Sequence, residues 1–271
     1  MEERETSVHR DTVSVSYSTS GAGDPVCILL HGITLDRHDL QPLADPLTRK
    51  HAVVSLDLRG HGESPVGSGL EIEDLAADVC ALADDLGLSG AVLIGHSLGG
   101  NVALAAAARS PERFGGLVIL DSTPMPTSEA LAWLQGLVDS IDGPDYATVW
   151  PEFCRTALFG WTAGDDLRMA ISSDMGNAPP ELTRPLVRSF TDYAARRGRA
   201  DLAACDMPVL MISSSSPTND EDAIRKVAPQ TVFAQVAASG HFMHHEVSDQ
   251  VYAMVEHFVT NCVPRPEFSR A

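Results

Sequence analysis

Residues 91–108 read Ala91-Val-Leu-Ile-Gly-His-Ser-Leu-Gly-Gly-Asn-Val-Ala-Leu-Ala-Ala-Ala-Ala108. The first four form a short apolar run, the pattern of a strand buried on both faces of a parallel sheet. The last eight are strong helix formers. Between them stands Gly95-His-Ser-Leu-Gly-Gly100, a G-x-S-x-G sequence in the strand–turn–helix setting that gives it meaning. A turn this sharp forces Ser97 into a strained backbone conformation at the strand's end. The flanking glycines remove side chains that would collide with the neighbouring strand and helix. The hydroxyl then projects above the sheet. The first amides of the new helix face the same point, where the helix dipole favours negative charge. Ser97 is therefore the candidate nucleophile, and the Leu98 amide a candidate donor to an oxyanion. The plainer alternative is a tight turn carrying a surface serine.

The same rhythm repeats along the chain. Apolar runs occupy Pro25–Leu30, Ala52–Leu56, Leu117–Leu120 and Val209–Ile212, and Thr231–Val236 reads as a last strand. Val13, Val15 and Tyr17 alternate with polar residues, as in a half-exposed strand. Helical patterns fill Ile72–Leu86, Ser97–Arg109 and Glu246–Val259. Length and flanking Gly and Pro residues favour strand over buried helix for the apolar runs. The fold class is α/β: a doubly wound, mostly parallel sheet of about eight strands. Residues 122–203 break the rhythm, carry no convincing strand and hold Trp133, Trp150, Phe153 and Trp161. They read as a helical lid, so that 1–121 and 204–271 form the core around it. These four aromatics, with Phe242, are candidate substrate contacts, although packing within the lid is the commoner use of any one of them. The tail from Pro264 is expected to fray.

Composition narrows the partners. With 44% hydrophobic residues, the chain can fill a core. Its net charge of −18 disfavours nucleic acid and anionic lipid, so a small molecule is the expected partner. The cysteines Cys27, Cys80, Cys154, Cys205 and Cys262 are scattered and include no CxxC, which argues against a disulfide framework or a zinc site. The charged start of the chain does not read as a signal peptide, and no apolar run approaches the roughly 20 residues of a membrane span. A cytoplasmic location is expected. The sequence sets no oligomeric state.

Two further stretches bear on chemistry. In Leu29-Leu-His-Gly-Ile33, Gly32 lets backbone approach the site, and the Ile33 amide is the second candidate oxyanion donor. His31 reads as a loop pin, and Asp57 and Arg59 of the following Asp57–Ser64 stretch as loop supports. Ser239-Gly-His-Phe242 follows the last strand. Histidine is the side chain that takes and returns a proton near neutrality, so His241 is the candidate base. His244 is next in line, with a structural role the plainer reading.

The ordered set LLHGI, DLRGHGES, GHSLGG and SGHFMHHE resembles the α/β-hydrolase superfamily over about residues 12–262. The resemblance implies a Ser–acid–His order along the chain. It also implies the catalytic histidine immediately after Gly240. Its members include esterases, lactonases, thioesterases and C–C bond hydrolases, with a few lyases and cofactor-free dioxygenases. One element departs from the pattern. Ser216, before Pro217, stands where relatives usually carry an aspartate, and Ser213–Ser216 holds no carboxylate. Asp121, at the end of the Leu117–Leu120 run, and Asp220 are the two replacements, and a dyad without acid is the third option. Asp220 equally suits the start of a helix, where acids cap amides.

The expected activity is that of a cofactor-free serine hydrolase acting on an ester, lactone or thioester through a Ser97 acyl-enzyme. Two alternatives stand beside it. One is a dioxygenase or lyase using a His241/Asp121 base dyad, and the other a non-catalytic small-molecule binder. No metal or organic cofactor is implied, since neither H-E-x-x-H nor G-x-x-x-x-G-K-[ST] occurs.

Overall fold

A computed structural model describes residues 4–10 and 13–264. The tail beyond Pro264, expected to fray, lies outside the described residues. The elements are β1 (Arg4–Arg10), β2 (Val13–Gly21), β3 (Cys27–Leu30), α1 (Gln41–Leu47), β4 (Ala52–Leu56), α2 (Ile72–Asp85), β5 (Ala91–His96), α3 (Leu98–Arg109) and β6 (Phe114–Leu120). Five helices follow without a strand: α4 (Ser128–Asp142), α5 (Tyr146–Thr156), α6 (Asp165–Gly176), α7 (Pro180–Arg196) and α8 (Gly198–Ala204). The chain then closes with β7 (Val209–Ser213), α9 (Glu221–Val227), β8 (Thr231–Gln235), α10 (Met243–Glu246) and α11 (Ser248–Asn261).

The eight strands form one sheet in the order β1-β2-β4-β3-β5-β6-β7-β8. β2 runs antiparallel to both β1 and β4. Every later pairing is parallel. The apolar runs exist because both faces are covered. Ile28 and Leu30 of β3 join one buried cluster with α2 and α3, while Cys27 and Leu29 join another with α1 and α11. β6 divides the same way, Leu117 and Ile119 on one side and Val118 and Leu120 on the other. Period-two alternation therefore survives in where each side chain goes, though every residue is apolar.

Two elements depart from expectation. β1 was invisible as a strand because Arg4-Glu-Thr-Ser-Val-His-Arg10 has no apolar run. It pairs along its whole length with β2 at the sheet edge, where backbone hydrogen bonds suffice and charge is tolerated. The helix expected at Glu246–Val259 is α11, and a one-turn helix that was not expected, α10, precedes it, parted from it at Val247, whose φ of −142° is not helical.

The crossing of α3 over β5 and β3 is made of backbone against backbone. A Cβ on Gly95 would stand 2.1 Å from Gly99 O, and one on Gly99 would stand 2.2 Å from Leu30 O. No rotamer relieves either clash. Gly95→Ala and Gly99→Ala are each expected to cost at least ~1–3 kcal/mol of stability in urea unfolding. Gly136 gives the opposite sign: it lies inside α4 with nothing within 4 Å of an added Cβ. Gly136→Ala should raise stability by about 0.5–1 kcal/mol in the same assay.

Candidate active site

The functional side chains gather at the C-terminal ends of the parallel strands, where open α/β sheets bind ligands. β5 ends at His96, and Ser97 follows with φ 52° and ψ −117°, outside the ordinary regions for an L-residue. Hydrogen bonds on either side hold it there. The Ser97 amide donates to Leu120 O at 3.0 Å, and its carbonyl accepts from the Gly100 amide at 3.0 Å. The Leu98 amide opens α3 and so has no partner within the helix. β3 runs beside β5 with Leu30 opposite Gly95, which brings Ile33 next to the same turn. Neither the Ile33 nor the Leu98 amide donates to another group among the described residues.

His31 anchors this loop in the way its position suggested. Its Nδ1 donates to Gly32 O at 2.7 Å, and its Nε2 accepts from the Leu58 amide at 3.0 Å. Asp57 accepts from the Arg37 and Glu63 amides at 2.7 and 3.0 Å. Arg59 grips both oxygens of buried Asp78 at 2.8 and 2.7 Å.

Asp121 follows directly on β6 with a φ of 42°. Its Oδ2 accepts from His241 Nδ1 at 2.8 Å, and its Oδ1 from the Ser214 amide at 2.7 Å. Burial opposes its charge, but these two donors and the nearby His241 and His96 rings prevail and hold its pKa below the ordinary aspartate value. With Nδ1 donating, His241 presents the Nε2 lone pair. The segment that lacks the usual acid thus supplies a backbone donor to the displaced one.

Of the two rival acids, the structure brings Asp121 to His241 and leaves Asp220 elsewhere. Asp220 caps α9, accepting from the Ala223 amide at 2.9 Å. Its other expected role, as the partner of His241, is set aside on that geometry. His244 is fully buried in α10, its Nε2 facing Asp39 Oδ1 at 3.3 Å.

A cavity of about 580 Å³ lies between the strand ends and the helices inserted after β6. Ser97, Asp121, His241, Ile33 and Leu98 all line it. Among the described residues, Asp121 and His241 are the only ionisable groups on its wall. Trp133, Trp150, Phe153 and Trp161 line it as expected. Trp150 and Phe153 stack at 5.4 Å, and Phe153 meets Trp133 at 5.7 Å, so these rings pack on one another as well as on the cavity. Trp161 is 83% exposed, and Trp133 53%. Phe242 is a correction: it is buried, stacks on Phe159 at 5.2 Å and belongs to the insertion's apolar cluster, not to the cavity wall.

The sequence reading missed the hydroxyl-bearing part of that wall, Ser214, Ser215, Ser216 and Thr218. The run of serines where an acid was due was the available signal. It also missed Glu246, whose carboxylate accepts from the amides of Gly160 and Gly240 at 3.1 Å each. The His241 amide donates to Leu158 O at 2.7 Å. The His241 loop is therefore tied to the insertion. That closeness needs Gly240, since a Cβ there would stand 2.2 Å from Gly160 N. His96 continues the network, its Nε2 donating to His241 O at 3.0 Å. Burial, with His244 and His241 nearby, pushes the His96 imidazole down to about 3.

Residues 25–247 match the family model described as alpha/beta hydrolase fold. The chain belongs to that family. Among curated relatives, this α/β hydrolase is 38% identical over 113 residues to an sn-1-specific diacylglycerol lipase of Xenopus laevis, covering 41% of this chain and 36% of that protein. It is 34% identical over 138 residues to 2-(acetamidomethylene)succinate hydrolase of Mesorhizobium japonicum, covering 51% and 49% of the two. The match thus spans half or less of either relative. Among solved structures, a thermophilic esterase from Thermogutta terrifontis superposes with a TM-score of 0.77 at 24% identity, covering 97% of this chain and 100% of that one. A bromoperoxidase from Bacillus anthracis gives 0.82 at 18%, covering 96% and 100%. At these identities the likeness is one of fold. No helix among the described residues is long and apolar enough to cross a membrane.

The Asp121 charge sets a pH dependence. Its folded pKa is depressed, so its ionisation stabilises the fold above the unfolded aspartate pKa of about 3.9 and ceases to as pH falls through the lower, folded value. The stability advantage of wild type over Asp121→Asn, read by urea unfolding, is therefore expected to shrink as pH drops below about 4. Asparagine keeps the shape and tolerates positive φ, so the variant should fold.

Proposed function

We propose that this α/β hydrolase is a serine hydrolase of neutral, largely apolar carboxylic esters, in which Ser97, His241 and Asp121 act as nucleophile, base and orienting acid. The observation that carries the reading is the 2.8 Å Asp121–His241 hydrogen bond in a cavity that Ser97 also lines. Ser97 Oγ has no hydrogen-bond partner among the described residues. Such bonds commonly tighten only when substrate binds.

In this reading, His241 Nε2 takes the Ser97 proton as Oγ attacks the substrate carbonyl. The negative charge that develops on the carbonyl oxygen is met by the amides of Ile33 and Leu98. Both are free to donate and preorganised, so they need no reorientation as the charge appears. The tetrahedral intermediate collapses, the C–O bond breaks, and His241 returns the proton to the leaving alcohol. A water then enters, gives its proton to His241 and attacks the acyl-enzyme. Collapse of the second intermediate frees the acid and restores Ser97. Asp121 keeps the His241 tautomer in place throughout and stabilises its charged form.

The insertion acts as a lid and excludes water from the reacting carbonyl. Its aromatic face, with Trp133, Trp150, Phe153 and Trp161, receives the acyl group. With no lysine or arginine on the wall among the described residues, a substrate carboxylate would lie near Asp121 without a fixed cation to pair it, which disfavours it. The partial likeness to a diacylglycerol lipase agrees with a neutral ester, whereas the other relative is named for a succinate, so the cavity wall carries this choice and not the likeness.

Three outcomes test it. A fluorophosphonate should label wild type and not Ser97→Ala. Asp121→Asn should fold and lose about 10⁴ in kcat. In an ester panel, neutral p-nitrophenyl acyl esters should be turned over, and matched esters with an acyl-chain carboxylate should fall by roughly tenfold or more in kcat/KM. Activity that survives Ser97→Ala would replace this reading with the base-dyad one, in which His241 and Asp121 deprotonate the substrate directly.

A further inference from the structure

Outside the cavity wall, four side chains from three separate elements converge. Asp39 comes from the turn before α1, His96 from the end of β5, and His244 and His245 from α10. His96 and His244 are fully buried, and the Asp39 and His245 side chains are 4% and 19% exposed.

Their polar atoms are poorly matched to one another. His96 gives its Nε2 proton to His241 O at 3.0 Å, so its Nδ1 presents a lone pair. That lone pair faces Asp39 Oδ2 at 3.6 Å, acceptor against acceptor. Neither atom has a hydrogen-bond partner among the described residues, and neither ring nitrogen of His244 has one. Asp39 Oδ1 lies 3.3 Å from His244 Nε2 and 3.1 Å from His245 Nε2, and only the His245 contact is a hydrogen bond. Buried polar atoms without partners are uncommon and point to something that binds them.

We propose that Asp39, His244 and His245 form a binding site for a divalent transition-metal ion of the Zn²⁺ class, with His96 facing the other oxygen of Asp39. Two imidazole nitrogens and one carboxylate are donors of the type zinc takes, with a fourth position left for water. A tetrahedral ion with bonds of about 2.0–2.2 Å holds its ligand atoms roughly 3.3–3.6 Å apart. Asp39 Oδ1 lies 3.1 Å from His245 Nε2 and 3.3 Å from His244 Nε2, while the 3.6 Å to His96 Nδ1 runs from the other oxygen, Oδ2. One ligand atom from each of Asp39, His244 and His245 lies within 4.8 Å of the other two. His245, the least buried of the four, marks the way in. The site is structural. It braces His96, and through the His241 carbonyl the loop that carries His241. It stands independently of the hydrolase reading.

The test is binding, not turnover. Protein stripped with a chelator and dialysed is titrated with Zn²⁺ against a chromophoric indicator, and with Co²⁺ while the visible spectrum is followed. Wild type should take up about one equivalent and give the intense Co²⁺ bands of a tetrahedral site. Ser97→Ala and His241→Gln should keep both signals. Asp39→Asn and His244→Gln should bind at least about tenfold more weakly. X-ray absorption of Zn²⁺-loaded wild type should show imidazole scattering, a reading that needs no variant to fold. The inference is overturned if stripped wild type takes up less than one equivalent. It is equally overturned if His241→Gln loses the ion while His244→Gln keeps it, because the ion then sits on the acid–base pair.

Discussion

The structure depends on how closely three backbones pass one another at the end of β5. Gly95, Gly99 and the carbonyl of Leu30 meet where no Cβ fits. That contact sets the height of α3 above the sheet and leaves Ser97 no ordinary conformation between strand and helix, hence its φ of 52°. The strain is local, and the surroundings over-determine it. α3 is buried along nearly its whole length, and its alanines let it lie close to β5 and α2. A bulky helix would stand off and relax the turn. Small residues in α3 and the strained serine are thus two sides of one packing requirement.

The second constraint is the reach of a carboxylate. A histidine arriving after β8 can be oriented from the end of β7 or from the end of β6. Here β7 ends in serines, and Asp121 follows directly on β6. Moving the acid one strand inward leaves the old position vacant of charge, and the Ser214 amide occupies the space as a donor to Asp121 Oδ1. The two features compensate each other. A carboxylate at Ser216, on the wall of the same cavity, would add like charge to that of Asp121, and loss of the Ser214 donor would leave one Asp121 oxygen without its partner.

The insertion after β6 is bound to the strand ends rather than merely resting on them. Glu246 ties Gly160 to Gly240, and Leu158 O holds the His241 amide. Phe242 and Phe159 fill the space beneath. The loop carrying His241 is therefore part of the insertion's packing, so the position of the imidazole and the shape of the cavity are set together.

The sequence by itself determined the α/β class, the strand–turn–helix at Ser97, the helical nature of residues 122–203 and the histidine after Gly240. Each of these is written in neighbouring residues, through periodicity, glycine spacing or side-chain chemistry. Where contacts run between distant segments, the sequence stayed ambiguous or silent. It could not choose Asp121 over Asp220, because the choice turns on which strand end lies beside His241. It placed Phe242 in the cavity because Phe242 adjoins His241 in the chain, whereas successive side chains on that loop point into different layers. It showed no strand at Arg4–Arg10, because an edge strand is held by backbone hydrogen bonds that leave no apolar pattern. Nor did it join Asp39, His96, His244 and His245, which meet only once β5, the turn before α1 and α10 have packed together.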